Sequence, residues 1–445
     1  MPASVTLSIL NGPRQGEIFV FDQHTIFVIG RQPDCQLCFS EDRSVSRYHC
    51  LLEINPPGAV MRELGSQNGT YINGCQYGGY RKQTPPEIIS TELIPEVELQ
   101  DNDEIRIGTS TLYLTIDQGA EPVQALAEIV SCQRCGQAVA NEVATRFPSG
   151  AYLCQSCREQ QAPSHARNVI PDYEMVKKLG KGGVSDVYLV RNTRTGQLAA
   201  LKVLRPSRTE VAQHARAQFL REIASTRELE HPHVVGYVDS GEIDDAFYLL
   251  VEFCAGGTLS QLLEKRGGTL PLGEAAPLLL GALEGLATIH RRGLIHRDIK
   301  PANILLADAQ GTLTAKIADM GLAKSFIMAG FSNLTPPGFS SGTVPFMPRE
   351  QLLDYRFVRP VSDVWSIGAT CYYLLTGAYP REHHPGRSGW QVVLEGQSVP
   401  IRKRNAQLPL SVAEVIDRSL QLNPADRYRD ANEMLQALTQ ALHCS

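Results

Sequence analysis

Long hydrophobic runs are the first thing this sequence lacks. Its richest apolar stretch, Ala275 to Ile289, is shorter than the roughly 20 residues a membrane-crossing helix requires and is interrupted by Glu284. No membrane partner is expected. Charge of one sign is missing too: 42 Lys/Arg against 47 Asp/Glu leaves −5, too near balance for a polyanion binder. The start, Met1-Pro2-Ala3-Ser4-Val5, has no basic run ahead of an apolar one, and Cys444 stands too late for prenylation. The expected location is therefore cytoplasmic. The 11 cysteines are odd in number and mostly scattered, which excludes a secreted disulfide framework and fits reduced thiols with a metal site.

What is present divides the chain into unequal parts. At about 150 residues per domain, 445 residues imply about three domains. Residues 1–117 carry 8 Lys/Arg and 15 Asp/Glu, residues 118–171 carry 4 and 4, and residues 172–445 carry 30 and 28. The acidity belongs to the first quarter. Over residues 1–118, alternating runs such as Thr25 to Ile29, Cys50 to Ile54 and Leu112 to Ile116 are separated by turn residues, which reads as an all-β sandwich.

Residues 125–160 hold Cys132 and Cys135, then, after 18 residues, Cys154 and Cys157. That spacing predicts a four-cysteine structural Zn²⁺ site in a small zinc ribbon, with redox pairs as the alternative. Cys35 and Cys38 share the pair spacing but have no second pair nearby, so ordinary packing is expected of them. The balanced charge of the middle part argues against nucleic acid as a partner. Residues 161–172 read as a linker, and residues 173–442 run from strand-like segments into long helical periodicities, an α+β order.

The run Leu179-Gly180-Lys181-Gly182-Gly183-Val184-Ser185-Asp186-Val187 lets a hairpin backbone approach phosphates, although alone it suits an ordinary turn equally well. Lys202, in an apolar strand, needs a partner, and Glu222, on a helical stretch with Phe219, Ile223 and Thr226 on one face, can supply one. The decisive segment is His296-Arg297-Asp298-Ile299-Lys300-Pro301-Ala302-Asn303, with Asp319-Met320-Gly321 beginning sixteen residues after Asn303. With these, residues 173–441 resemble eukaryotic-type serine/threonine protein kinases, in the bacterial manner, and imply a two-lobed fold. Gly342-Thr343, Glu350, Asp363-Val364-Trp365-Ser366-Ile367-Gly368 and Arg427 follow in the family's order.

The resemblance implies ATP and Mg²⁺ (or Mn²⁺) as cofactors and protein hydroxyls as substrates. It makes Asp298, Lys300, Lys202 and Glu222 the catalytic set and Asn303 and Asp319 the metal ligands. ATP would lie against Leu179 to Val187, Ala200, Lys202 and the hinge-like segment holding Glu252 and Cys254. Three departures stand out: Ser185 at a usual glycine, Met320 at a usual phenylalanine, and Pro348-Arg349-Glu350 for Ala-Pro-Glu. Arg297 beside the catalytic aspartate implies that a phosphorylated loop residue orders the site, with Ser332, Thr335, Ser340, Ser341 and Thr343 as candidates.

Gly30-Arg31, Ser46-Arg47-Tyr48-His49 and Ser66-Gln67-Asn68-Gly69-Thr70, through to Asn73-Gly74, together resemble a forkhead-associated (FHA) domain. The implied ligands are phosphothreonine-containing proteins or the chain's own phosphorylated segments, contacted by Arg31, Ser46, Arg47, Gln67 and Asn68. His49 and Gly69 are expected to be structural. The segment's net charge of −7, from 8 minus 15, opposes a phosphate at long range and predicts a ligand with basic flanks.

Overall fold

The computed structural model describes residues 3–79, 96–119, 129–131, 138–140, 145–146, 152–153, 170, 172–181, 185–204, 223, 227, 229–243, 246–319, 344–353, 358–382 and 389–444. Eleven strands open the chain: β1 (Ser4–Asn11), β2 (Ile18–Phe21), β3 (Thr25–Gly30), β4 (Leu37–Cys38), β5 (Cys50–Asn55), β6 (Gly58–Glu63), β7 (Thr70–Ile72), β8 (Cys75–Tyr77), β9 (Glu96–Leu99), β10 (Glu104–Ile107) and β11 (Ser110–Asp117). They form two sheets, ordered β2-β1-β11-β10-β7-β8 and β4-β3-β5-β6-β9. Alternation explains the sandwich: Val5, Leu7 and Ile9 of β1 turn inward with Leu112 and Leu114 of β11, against Phe27, Ile29, Leu52, Ile54 and Met61 of the other sheet.

Two short hairpins follow, β12 (Ile129–Ser131) with β13 (Ala138–Ala140) and β14 (Thr145–Arg146) with β15 (Tyr152–Leu153). Cys132, Cys135, Cys154 and Cys157 lie outside the described residues, as do the linker's residues apart from Ile170 and Asp172.

A five-stranded antiparallel sheet comes next, β16 (Tyr173–Lys181), β17 (Ser185–Asn192), β18 (Leu198–Leu204), β19 (Tyr237–Ile243) and β20 (Ala246–Glu252), in the order β16-β17-β18-β20-β19. The helical lobe holds α1 (Leu259–Lys265), α2 (Leu272–Arg291), the hairpin β21 (Ile304–Ala309) and β22 (Thr312–Ile317), α3 (Arg349–Leu353), α4 (Pro360–Thr376), α5 (Gly389–Glu395), α6 (Leu410–Ser419) and α7 (Ala431–His443). Its core joins Leu279, Leu283 and Leu286 of α2 to Trp365, Ile367, Tyr372 and Leu375 of α4 and to Val412, Ile416, Met434 and Leu438 of α6 and α7. Contrary to the expectation from the sequence, α2 is long and apolar enough to cross a membrane by length and composition. Its place is the centre of this lobe, where Ala282, Leu283, Leu286 and Ile289 are buried.

The sandwich is docked on the helical lobe. Strands β3 and β5 are apolar on both faces: Phe27, Ile29 and Leu52 fill the sandwich core, while Val28 and Leu51 join Cys35, Tyr48 and Leu64 in a second cluster. The other half of that cluster is Val344, Met347, Leu352, Val393 and Leu394. Polar contacts rim it. Arg349 reaches Asp34 and the Tyr48 hydroxyl, its guanidinium lying 5.5 Å from the Tyr48 ring centroid. Gln36 donates to the Leu353 carbonyl, and Gln391 Nε2 donates to the Gly65 carbonyl at 3.2 Å.

Candidate active site and phosphate pocket

The two lobes bring together residues far apart in sequence. Strand β18 places Lys202 opposite Val187 of β17 and Leu249 of β20, and Lys202 is buried. A buried ammonium requires a counter-charge, and its Nζ donates to Asp319 Oδ1 at 2.9 Å. The sequence pointed to Glu222 as that partner. Glu222 lies outside the described residues, and the bond observed runs to Asp319, across the cleft. The Asp319 side chain is half exposed; what desolvation it has disfavours the carboxylate, but the Lys202 ammonium outweighs this and holds the carboxyl below its ordinary range. Asp319 also has a left-handed backbone, φ +57°, as does Arg297 at +66°, conformations that non-glycine residues adopt at functional sites more than elsewhere.

The segment after α2 is held by a buried carboxylate. Asp363, near the start of α4, accepts from the backbone amides of His296 (2.7 Å) and Arg297 (2.8 Å) and pairs with His290 at 3.0 Å. His296 Nε2 is bonded to the Ala318 carbonyl at 2.8 Å, which joins this loop to the residue before Asp319. Within the loop, Asn303 Nδ2 donates to Asp298 Oδ2 at 2.8 Å, and Lys300 Nζ lies 3.1 Å from the same oxygen. Because the amide nitrogen of Asn303 is committed to Asp298, its amide oxygen is the end that can ligate. With Asp319 it makes a set of hard oxygen donors, which fits Mg²⁺ completed by phosphates and water.

Around the adenine side, Ser185 and Val187 on β17 and Ala200 on β18 are partly buried, Leu179 is exposed, and Gly180 and Lys181 pair in register with Val187 and Asp186. Asp186 is ion-paired to Lys178 at 2.6 Å. The Glu252 carboxylate accepts through Oε2 from Lys316 at 2.8 Å and from the Gly236 amide at 3.1 Å, which ties its side chain to the strand hairpin and the residues before β19. Cys254 is buried, and burial pushes its thiol up to about 11. Gly182, Gly183, Val184, Met320, Ser332, Thr335, Ser340, Ser341 and Thr343 lie outside the described residues. Glu350 and Arg427, both in the run of family motifs, are joined by two bonds of 2.6 and 3.1 Å.

On the sandwich, Arg31, Ser46, Arg47 and Gln67 line one cavity of about 390 Å³. The loop is shaped by His49, whose Nδ1 accepts from the Ser46 amide at 3.0 Å while Nε2 bonds the Gly69 carbonyl at 3.1 Å. Gly30 is needed because a Cβ there would run into the Arg47 carbonyl. Ser46 Oγ accepts from the Gln67 amide at 3.0 Å, leaving its proton to donate. Asn68 is not in the cavity lining; its Nδ2 is bonded to the Ser44 carbonyl at 2.7 Å. Among the lining residues missed in the sequence are Arg43, Gln391 and Glu395. Arg43 stands three residues before Ser46 and was open to detection, whereas Gln391 and Glu395 come from α5 and carried no local signal. Cys35 and Cys38 are both unbridged, and each thiol donates to a backbone carbonyl, of Arg47 and Arg31, at 3.5 Å.

Comparison with known proteins agrees with this division. The protein kinase domain family model matches residues 173–439, and the FHA domain model matches residues 27–108. The chain is 34% identical over 278 residues to "Serine/threonine-protein kinases drp72" of Corynebacterium efficiens, covering 60% of this chain and 50% of that one. It is 33% identical over 273 residues to serine/threonine-protein kinase PknF of Mycobacterium tuberculosis, covering 60% and 55%. The matches thus span about half the length of these curated relatives. Among solved structures, Rad53 1-466 in complex with AMP-PNP is similar in fold over 98% of this chain and all of that one, with a TM-score of 0.50 and 19% identity. A family match over residues 173–439, more than half of the chain, makes it a member of the protein kinase family, preceded by an FHA domain.

Proposed function

We propose that the chain is a serine/threonine protein kinase that transfers the γ-phosphate of ATP to protein hydroxyls, with the FHA domain as a phosphothreonine reader. The observation that carries this is the constellation of Asp298, Lys300 and Asn303 on one loop, facing the Lys202–Asp319 pair across the cleft. Phosphoryl transfer is mainly positioning and charge neutralisation, and these residues supply both. Mg²⁺, held by Asn303 and Asp319 when bound, would neutralise the phosphates. Lys202 holds the α- and β-phosphates. Asp298 orients the attacking hydroxyl and receives its proton as the new P–O bond forms and the bond from Pγ to the ADP oxygen breaks. Lys300, 3.1 Å from Asp298, steadies the phosphoryl group in flight. The relatives named as serine/threonine kinases support the choice of hydroxyl. Transfer of labelled phosphate from Mg-ATP to a generic protein substrate or to the chain itself is expected, with loss of at least 10²-fold in Asp298→Asn. Equal transfer by both proteins would refute the assignment, and absence of transfer would favour a scaffold.

In the middle part, Cys132 follows directly on β12 and Cys154 on β15, and these two strands lie beside each other. That arrangement supports one shared zinc site, closed by four thiolates. Elemental analysis of the purified chain should give one zinc per molecule, lost in Cys132→Ser/Cys154→Ser. Full occupancy in that variant would exclude the site.

A further inference from the structure

Helix α3 is too short to hold its own place. Its 5 residues make little more than one turn, and a helix of that length persists only where its neighbours hold it. The sandwich holds it at both ends. Arg349 at the start reaches Asp34 and the Tyr48 hydroxyl, Gln36 donates to the carbonyl of Leu353 at the end, and Leu352 packs in one cluster with Val28 and Leu51. On the side of the catalytic loop, the buried Gln351 donates through Nε2 to the Arg297 carbonyl at 2.8 Å. Accepting the kinase reading of Asp298, we propose that Gln351 is a positioning residue for it, and that the docked FHA sandwich keeps Gln351 in place through Asp34 and Arg349, so that full turnover requires the two domains to be joined.

Gln351 grips a strained peptide. Arg297 has a left-handed backbone, φ +66°, which a residue with a side chain keeps only where its surroundings fix it. Its N–H donates to Asp363 Oδ1 at 2.8 Å, and its carbonyl accepts from Gln351. That carbonyl and the Asp298 N–H belong to one planar peptide group, so a shift of Gln351 tilts the backbone that carries the Asp298 carboxylate. Phosphoryl transfer is mainly positioning, and a misplacement of about 1 Å costs up to about 10²-fold in rate.

The kinase lobe fixes one end of this helix more firmly than the other. Among the described residues, and apart from the bond of Gln351 itself, its polar holds are Arg427 on Glu350 and Arg381 on the Met347 carbonyl, both at or before the first turn. The bond at Leu353 comes from the sandwich. Undocked, α3 keeps its start and loses a hold at its end, and Gln351 lies between the two. Arg349 is also the departure from the kinase pattern Ala-Pro-Glu, and a proline there has no charge with which to meet Asp34.

Phosphate transfer from Mg-ATP to casein by the full chain tests this. Gln351→Met, which keeps the side chain's length and removes its donor, should lower kcat at least tenfold with KM for ATP unchanged. Asp34→Arg, a change on the sandwich that sets two cations against each other, should lower kcat about tenfold, and adding Arg349→Glu, which exchanges the pair, should recover most of the loss. Hydrogen exchange should quicken in the catalytic-loop peptide, residues 294–303, of Asp34→Arg while β1 and β11 stay protected as in the wild type. Unchanged kcat and exchange in Asp34→Arg overturn the coupling, and a raised kcat overturns it too, because the seam is then a brake. If the wild type transfers no phosphate, the kinase reading falls instead, and the exchange measurement alone decides whether the sandwich holds the loop.

Discussion

Mild acid is expected to unfasten the phosphate pocket through His49. This imidazole is fully buried, and burial drives its pKa down from 6.5 to about 4, with the Gly69 carbonyl and the Asp42 carboxylate opposing that shift only in part. The folded sandwich therefore binds fewer protons than the unfolded chain between those two values. Stability contributed by the neutral ring is intact above about pH 6.5 and is lost as pH falls toward 4. The shift corresponds to about 3 kcal/mol when complete, of which about 2 kcal/mol has gone by pH 5. The loss has a local meaning as well. A protonated Nδ1 cannot accept from the Ser46 amide, so the loop carrying Ser46 and Arg47 loses its anchor. Hydrogen exchange of sandwich peptides in the full chain, corrected for intrinsic rates, should show opening free energies falling by about 2 kcal/mol between pH 7 and pH 5. His49→Gln should abolish the slope. A slope that survives in His49→Gln, or an imidazole that titrates near 6.5 by NMR, would refute the reasoning.

Two further outcomes follow from close packing. Arg427 is buried and doubly bonded to Glu350, so Arg427→Ala leaves a carboxylate stranded and should cost about 3–5 kcal/mol, seen as a lowered thermal midpoint of the helical lobe. A midpoint within one degree of wild type would contradict it. Gly30→Ala pushes on the Arg47 carbonyl and should weaken phosphothreonine peptide affinity at least tenfold while leaving kinase activity unchanged. Undiminished peptide affinity would show that the pocket tolerates the displacement.

The catalytic loop was legible because its chemistry is packed into eight consecutive residues, His296 to Asn303, and because Asp363 and Arg427 fall in order behind it. The sandwich was legible through period-2 alternation in β1 and β11. Where a partner lies across the cleft or the seam, local pattern was silent. Lys202 meets Asp319, 117 residues away, and Arg47 meets Glu395, 348 residues away. The run Thr25 to Ile29 did hold a clue. A strand apolar at consecutive positions has something on both faces, and Val28 lies against the kinase domain while Phe27 and Ile29 face the sandwich core.

Three consecutive residues of α3 each face a different part of the molecule. Arg349 takes the reader, Glu350 takes Arg427 near the chain's far end, and Gln351 donates to the Arg297 carbonyl at 2.8 Å, one residue from Asp298. Successive helical residues differ by about 100° in direction, so each of these obligations belongs to one position only. Inserting or deleting a single residue at Pro348 would rotate all three away from their partners together. The length of this short segment is therefore under tighter restraint than its composition: substitutions at one position are borne by one contact, but a change in count is borne by the reader, the lobe and the catalytic loop at once.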